Sequence, residues 1–434
     1  MTESAKLPRQ IPFIIGNEAC ERFSFYGMRN ILTIFLIDYL LKNDIPDVTQ
    51  RTAVAKTMFH DFVVGVYLFP MLGGYLADRY LGKYRTVLYL SIVYCLGHAC
   101  LAMFESKPAG FYTGLFLIAL GSGGIKPCVA SLVGDQFTAQ NKHLATKVFG
   151  AFYWSINFGS LFASLLMPLT LAKWGPSWAF GIPGVLMFIA TVIFWLGRHL
   201  YVREPPTGKK EHGFFQVLWT AFKNRSSRAG TFLDGALARH PKEAVEATRA
   251  VLRVLLVFTP IPFFWALFDQ KASTWVVQAK SMDPNVGGLI FQPSQMQFIN
   301  PALVMMLIPL MTGIIYPLFK KWGFELTPLR RMTLGMGVAS LSWVAAGMVQ
   351  VPLDRGEALN IIWQLGPYVL LTTAEVLVST TGLEFAYSQA PVQMKGTLMA
   401  AWNLTTAIGN LVVARASSVL VVTGASLFFT YAGV

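Results

Sequence analysis

The chain has 434 residues, of which 54% are hydrophobic and only 13% charged, and its mean hydropathy is +0.51. Soluble domains average about 25% charged residues, so these figures exclude one and indicate a polytopic helical membrane protein. The formal net charge of +13 does not indicate nucleic acid, because the basic residues fall in alternate loops rather than on one patch.

Apolar runs long enough to cross a bilayer lie at 11–41, 53–77, 85–104, 110–133, 147–172, 177–200, 252–279, 295–319, 330–350, 360–388, 396–414 and 416–434. They predict an all-α membrane protein with twelve transmembrane spans. One long hydrophilic segment, 201–251, divides them into six-helix bundles over 1–200 and 252–434. Two halves joined this way suit parallel repeats with a transport site at their interface. The last run is short and reads as a final helix cut before its natural end. The polar N-terminal tail enters a full-length span without the pattern of a cleavable signal peptide.

Most of the 35 Lys and Arg lie on one side: Lys6, Arg9, Arg79, Lys83, Arg85, Lys142, Lys147, a basic group between 198 and 253, Lys320, Lys321, Arg330, Arg331 and Lys395. By the positive-inside rule that side, with the N-terminus, faces the cytoplasm, as in a multi-pass protein of a plasma membrane or bacterial inner membrane. Cys20, Cys95, Cys100 and Cys128 all lie in apolar runs without metal-site spacing, and read as small buried hydrophobes that form no disulfide.

The first span carries Glu18-Ala-Cys-Glu21-Arg22-Phe-Ser-Phe-Tyr26-Gly, with Arg29 beyond. At 100° per residue Glu18, Glu21, Arg22, Tyr26 and Arg29 fall within roughly 140° of one another, on a single helix face. Each charge at that depth costs about 2.5 to 3.5 kcal/mol on insertion scales, so the face looks into the bundle or a water-filled cavity. A structural ion pair needs one carboxylate and one arginine. A second carboxylate with an exchangeable partner is what a proton carrier requires.

Depth follows from about 1.5 Å per residue. Glu18, Glu21 and Lys126 of the fourth span all sit roughly 10 to 15 Å from the inner surface, with Asn157 of the fifth span level with them. Lys126 is therefore expected to pair with the first-span carboxylates. His60 in the second span and Asp269 in the seventh share a depth near the outer face and read as a gate between the halves, with a satisfied structural histidine as the alternative for His60. Asp61 is disfavoured as the partner, because adjacent helical residues point about 100° apart. In the linker, His212 to Asn224 and Pro241 to Arg253 read as amphipathic helices on the inner surface, with Trp219, Phe222 and Val245 on their apolar sides. Glu375 lies near the midplane of the tenth span, with Ser379 one turn along.

These residues make an asymmetric cavity, with Arg22, Arg29 and Lys126 from the first half and Glu375 from the second. Arginine suits a carboxylate through its bidentate fork, and a carboxylate suits an amine. Tyr26, Tyr67, Tyr153, Trp265 and Trp402 supply apolar walls with hydroxyl or indole donors that tolerate varied side chains. Such a cavity fits a peptide zwitterion.

The first-span stretch resembles the ExxER motif of the proton-dependent oligopeptide transporter family, within the major facilitator superfamily. That family usually has two tyrosines before the glycine, whereas Phe25 precedes Tyr26 here. Gly123-Gly-Ile-Lys126-Pro with Asp135-Gln-Phe, and Phe152-Tyr153-Trp-Ser-Ile-Asn157-Phe-Gly159-Ser, resemble two further signatures of the family. Gly73 to Arg85 is similar to the superfamily's basic loop between the second and third spans. The basic character of the counterpart, Phe319 to Arg331, supports an internal duplication. Glu375 to Ser379 and Thr381 to Pro391, through Ala390, look like the family's tenth-helix block. Asn300-Pro301 and Trp402-Asn403 match family positions lining the peptide site. The blocks His60 to Tyr67 and Phe264 to Gln270 resemble animal peptide transporters.

The resemblance implies a major facilitator fold and proton-coupled symport of di- and tripeptides by alternating access, with no cofactor beyond the proton and a monomer in the bilayer. Within the family a carrier of nitrate or another small solute is the alternative; Glu375 speaks against an anion carrier. A receptor-like protein with a transporter fold is a further alternative. A membrane enzyme is disfavoured because no nucleophile-and-base set or metal motif is present, and a channel because no repeated filter element is.

Overall fold

The computed structural model describes residues 7–138, 140–206, 208, 211–224, 231–389, 391, 394–419 and 422–433. Lys6, and Ala390 within the tenth-span block, lie outside them. The first half comprises α1 (Ile11–Phe35), α2 (Val48–Leu76), α3 (Gly82–Met103), α4 (Pro108–Asp135), α5 (Ala145–Trp174) and α6 (Pro176–Leu196). In the linker are α7 (Phe214–Lys223) and the start of α8 (Lys242–Phe258). The second half continues with α9 (Ile261–Asp269), α10 (Thr274–Lys280), α11 (Ile299–Leu310), α12 (Tyr316–Lys321), α13 (Pro328–Asp354), α14 (Leu365–Glu375), α15 (Thr381–Gln389), α16 (Lys395–Val419) and α17 (Gly424–Ala432).

Among the described residues every expected span but the last is helical, and several are broken where the sequence supplies a reason. Pro260 cannot donate to the preceding turn, and the helices on either side of it meet at 46°. Between α2 and α3 the backbone reverses at Gly82, whose φ of +73° suits a residue without Cβ. The final span differs from expectation: α16 remains helical to Val419 and α17 begins only at Gly424. A short hairpin not foreseen from the pattern, β1 (Asn285–Val286) against β2 (Leu289–Ile290), caps the connection between α10 and α11. Among the described residues eight helical segments are long and apolar enough to cross a membrane, or nine if the bent pair counts as one. One of the eight, of 56 residues, contains both α2 and α3.

The buried apolar side chains form two large clusters, one built almost wholly from α1 to α6 and one from α7 to α17. A third, small cluster joins Val217 and Ala221 of α7 to Leu233, Ala244 and Val245. Of the residues expected on the apolar sides of the linker helices, Trp219 and Phe222 point outward, both 61% exposed, and form an aromatic surface on the linker, whereas Val245 is buried. Close helix approach within the first half depends on small residues. A Cβ at Gly159 on α5 would stand 2.9 Å from Ala19 O and 3.0 Å from Phe23 N, so this glycine sets how near α1 lies. That separation positions Glu21 and Arg22.

Polar contacts between the halves cluster at the end of the bundle remote from the linker, which we call the far side. Thr33 Oγ1 donates to Ala272 O at 2.8 Å, Gln297 Nε2 to Asn30 O at 3.1 Å and Gln295 Nε2 to Leu165 O at 2.9 Å. Lys280 pairs with Asp38 there, and Arg415 with Asp61 at 2.6 Å. Toward the linker side no hydrogen bond or ion pair joins the halves among the described residues, and Tyr153, Trp154, Phe158 and Tyr387 are exposed. The molecule is closed on the far side and open toward the linker.

Gly159→Ala is expected to lower stability by about 1 to 3 kcal/mol through overpacking of α1 on α5. Thermal unfolding in detergent, followed by loss of the monodisperse size-exclusion peak, measures it; an unchanged midpoint would show that the two helices separate without penalty.

Candidate functional site

A cavity of about 220 Å³ lies between the halves, below the far-side contacts. Tyr26, Arg29, Tyr67, Asn157, Trp265, Asn300, Glu375 and Ser379 line it, all of them singled out from the sequence. Glu375 immediately precedes a π-helical turn at Val376–Thr380 and Ser379 lies within it; such single-turn insertions re-aim side chains, and here both residues reach the cavity. Lys126, Tyr153 and Trp402 are not among the lining residues. Trp402 is buried behind Trp265, with ring centroids 6.2 Å apart, and its indole fills the space that a side chain at Gly382 would need.

The first-span charges form a compact cluster on α1. Arg22 Nε lies 2.8 Å from Glu18 Oε1 and 2.6 Å from Glu21 Oε2, and none of the three side chains is more than 8% exposed. Two carboxylates thus share one guanidinium. Lys126 is not the ion-pair partner expected: among the described residues no carboxylate lies within 4.0 Å of its ammonium, which rests 4.7 Å from the Phe25 ring centroid and 4.5 Å from that of Tyr67. It remains within electrostatic range of Glu21. Phe25, at the position where a second tyrosine was looked for, is one of those two rings.

His60 and Asp269 also meet differently from expectation. Both are buried on the far side, yet Asn410 of α16 stands between them. Asn410 Nδ2 donates to Asp269 Oδ2 at 2.7 Å, which leaves Asn410 Oδ1 to accept from His60 Nδ1 at 2.7 Å. The other ring nitrogen, Nε2, lies 2.8 Å from Ser273 Oγ. The ionic partner of Asp269 is Arg29, with Nη2 to Oδ1 at 2.7 Å. A chain Arg29, Asp269, Asn410, His60, Ser273 therefore ties α1 and α2 to α9 and α16. Spacing gave no hint of Asn410, which is 141 residues from Asp269.

Lys271 is the other residue the sequence reading passed over. It lies just past the end of the motif block, is 5% exposed, and donates from Nζ to Asn300 Oδ1 at 2.8 Å. Asn300 Nδ2 in turn donates to Glu375 Oε2 at 2.6 Å. Glu375 is thus held by an amide that also contacts a cation. A lysine at membrane depth was itself the signal that could have found it. Asn30, Ser160, Ser164 and Gln297 complete the polar wall, the first donating to Ser164 Oγ at 2.6 Å. Among the described residues no group of three or more His, Cys, Asp or Glu is placed to hold a metal.

Residues 84–427 match the PTR2 profile, described as the POT family. The chain belongs to the POT family. It is 39% identical over 369 residues to human Solute carrier family 15 member 2, covering 80% of this chain and 50% of that protein. It is 40% identical to Peptide transporter family 1 of Drosophila melanogaster, covering 80% of this chain and 48% of that one. This chain spans about half the length of the curated relatives it matches. The in meso crystal structure of the POT family transporter PepTSo superposes with a TM-score of 0.93 at 48% identity, covering 99% of this chain and 96% of that one. The fold is accordingly that of the POT transporters of the major facilitator superfamily, a multi-pass membrane architecture, and the family is one of transporters rather than enzymes.

Replacing Asn410 with Ala leaves Asp269 Oδ2 and His60 Nδ1 without a buried partner, a loss of about 1 to 3 kcal/mol that falls on the far-side-closed state. Spin labels at exposed Asp44 and Leu289 should then report longer far-side distances than in the parent. Identical distributions would reduce the bridge to packing.

Proposed function

We propose that this protein is a proton-coupled symporter that imports di- and tripeptides by alternating access of one central cavity. The observation that carries the reading is the placement of opposite charges on opposite walls of that cavity, Arg29 from the first half and Glu375 from the second. A peptide zwitterion presents a carboxylate and an ammonium separated by a variable body. Arg29 gives one terminal nitrogen to Asp269 and keeps donors for a second carboxylate. Glu375 takes the amine, which displaces the amide of Asn300 or joins it. Tyr26, Tyr67 and Trp265 hold the body through surfaces indifferent to side-chain identity.

The proton enters at the α1 cluster. With Glu18 and Glu21 both ionised around one Arg22, the triad carries a net negative charge that attracts Lys126. Protonating one carboxylate neutralises the triad and frees Lys126 to answer a peptide carboxylate instead. Coupling follows because proton and peptide alter the same local charge balance.

The moving bodies in this reading are the bundles 1–200 and 252–434, joined by 201–251. The linker side is the cytoplasm, which makes the present state inward-open. We further infer a monomer in a plasma membrane or bacterial inner membrane, working without a cofactor.

Uptake of a labelled dipeptide into proteoliposomes under an imposed proton gradient tests the whole reading; absence of gradient-driven accumulation would overturn it. Glu21→Gln should retain peptide exchange and lose uphill accumulation. Glu375→Gln should weaken a free dipeptide by roughly tenfold or more, one charge-assisted contact of about 1.5 to 3 kcal/mol, and leave an N-acetylated dipeptide nearly unaffected. Equal effects on both ligands would remove Glu375 from the amine site.

A further inference from the structure

A second cavity, of about 280 Å³, lies on the far side, separate from the central one. It is bounded by the first turns of α2, by α10, by the end of α13, by Ala416 and Ser417 of α16 and by Val422 and Thr423 leading into α17, so both halves contribute to it. Its single charged lining residue is Lys56, half-buried in the third turn of α2. Among the described residues no carboxylate lies within 4.0 Å of that ammonium and no acceptor is hydrogen-bonded to it. Asp354, close by, is already engaged, accepting from Gln350 Nε2 at 2.8 Å and from Ala425 N at 2.6 Å. Asp61, on the next turns of α2, is taken by Arg415.

The rest of the lining divides by chemistry. Thr52 and Ser281 bring hydroxyls that carry no protein hydrogen bond, and the amides of Gln270, Gln278 and Gln350 line the floor. Val277, Leu427 and Phe428 provide an apolar wall. An unpaired ammonium with free hydroxyls asks for an anion with several acceptor oxygens. The apolar wall beside it accommodates a chain or glycerol attached to that anion.

We propose that this far-side cavity binds a phosphate-class anion, either the headgroup of an anionic phospholipid or a free phosphate, through Lys56. The site also has a consequence for the gate. Lys56 stands one helical turn before His60, and Gln270 and Thr274 directly follow Asp269 and Ser273 in the hydrogen-bonded chain. An anion bridging α2 to α10 and α17 stabilises the far-side-closed arrangement. This second part rests on the carrier reading; the binding itself does not.

The experiment uses the full chain in detergent. Native mass spectrometry with added phosphatidylglycerol, and in parallel with inorganic phosphate, should show a tightest binding event that weakens about tenfold in Lys56→Gln and Lys56→Met and persists in Lys56→Arg. In the parent protein the effective probe should also protect Lys56 from amine-reactive labelling, a readout that needs no variant. Protection by phosphatidylglycerol alone identifies a lipid headgroup, and protection by inorganic phosphate identifies a free anion. Unchanged binding of both probes in Lys56→Gln, or no protection of Lys56 by either, would overturn the proposal. With binding established, the effective probe should shorten the far-side spin-label distances in the parent and not in Lys56→Gln. Unaltered distances would remove the link to the gate and leave the site, whereas failed dipeptide uptake would remove only the transport reading.

Discussion

A charge carried to the depth of a bilayer has no water to solvate it, so it must find a partner inside the protein. This constraint accounts for more of the architecture than any packing motif does. Glu18 and Glu21 crowd one guanidinium on α1. Arg29 reaches across the molecule to Asp269, 2.7 Å away, and Glu375 is met by Asn300 with Lys271 behind it. Because two of these three arrangements cross between helices of different origin, satisfying the charges also decides how those helices are held together.

The same constraint explains why a structure of this kind is mobile in a useful way. A buried pair between two rigid bodies is strong while its partners are mutually desolvated and easily replaced when a ligand brings its own charge. Arg29 belongs both to the far-side chain and to the cavity wall. In the proposed reading, a ligand carboxylate arriving there would compete with Asp269 and so link the cavity to the closure. The far-side chain is long, four residues on four helices and Ser273 just before α10, and its members are buried, so removing one leaves others unsatisfied.

Neutral groups do part of the work assigned at first to charges. Asn410 converts a prospective His60 to Asp269 ion pair into a relay with a defined tautomer, and Asn300 does the same between Lys271 and Glu375. Lys126 rests against the rings of Phe25 and Tyr67 rather than in an ion pair with the α1 carboxylates. Amides and aromatics make these contacts weaker and more exchangeable than direct ion pairs would be.

What the sequence determined by itself is what periodicity and depth encode. Glu18, Glu21, Arg22, Tyr26 and Arg29 share a face because 100° per residue puts them there, and the spans follow from run length, since a helix crossing a membrane needs about 20 apolar residues. Membership of the cavity was legible for Tyr67, Asn157, Trp265, Asn300, Glu375 and Ser379, residues whose polarity or motif stands out against apolar neighbours. Which partner each takes was not legible. Asp269 could pair with His60 or Arg29 at equal depth, and only the rotation of α2 against α9 and the arrival of Asn410 from α16 decide for Arg29. Lys126 could reach Glu21 by height alone, but its azimuth around α4 turns it onto two rings. Depth along the membrane normal is one coordinate, read from counting residues; contact needs the other two, and those are set by how helices distant in the chain pack.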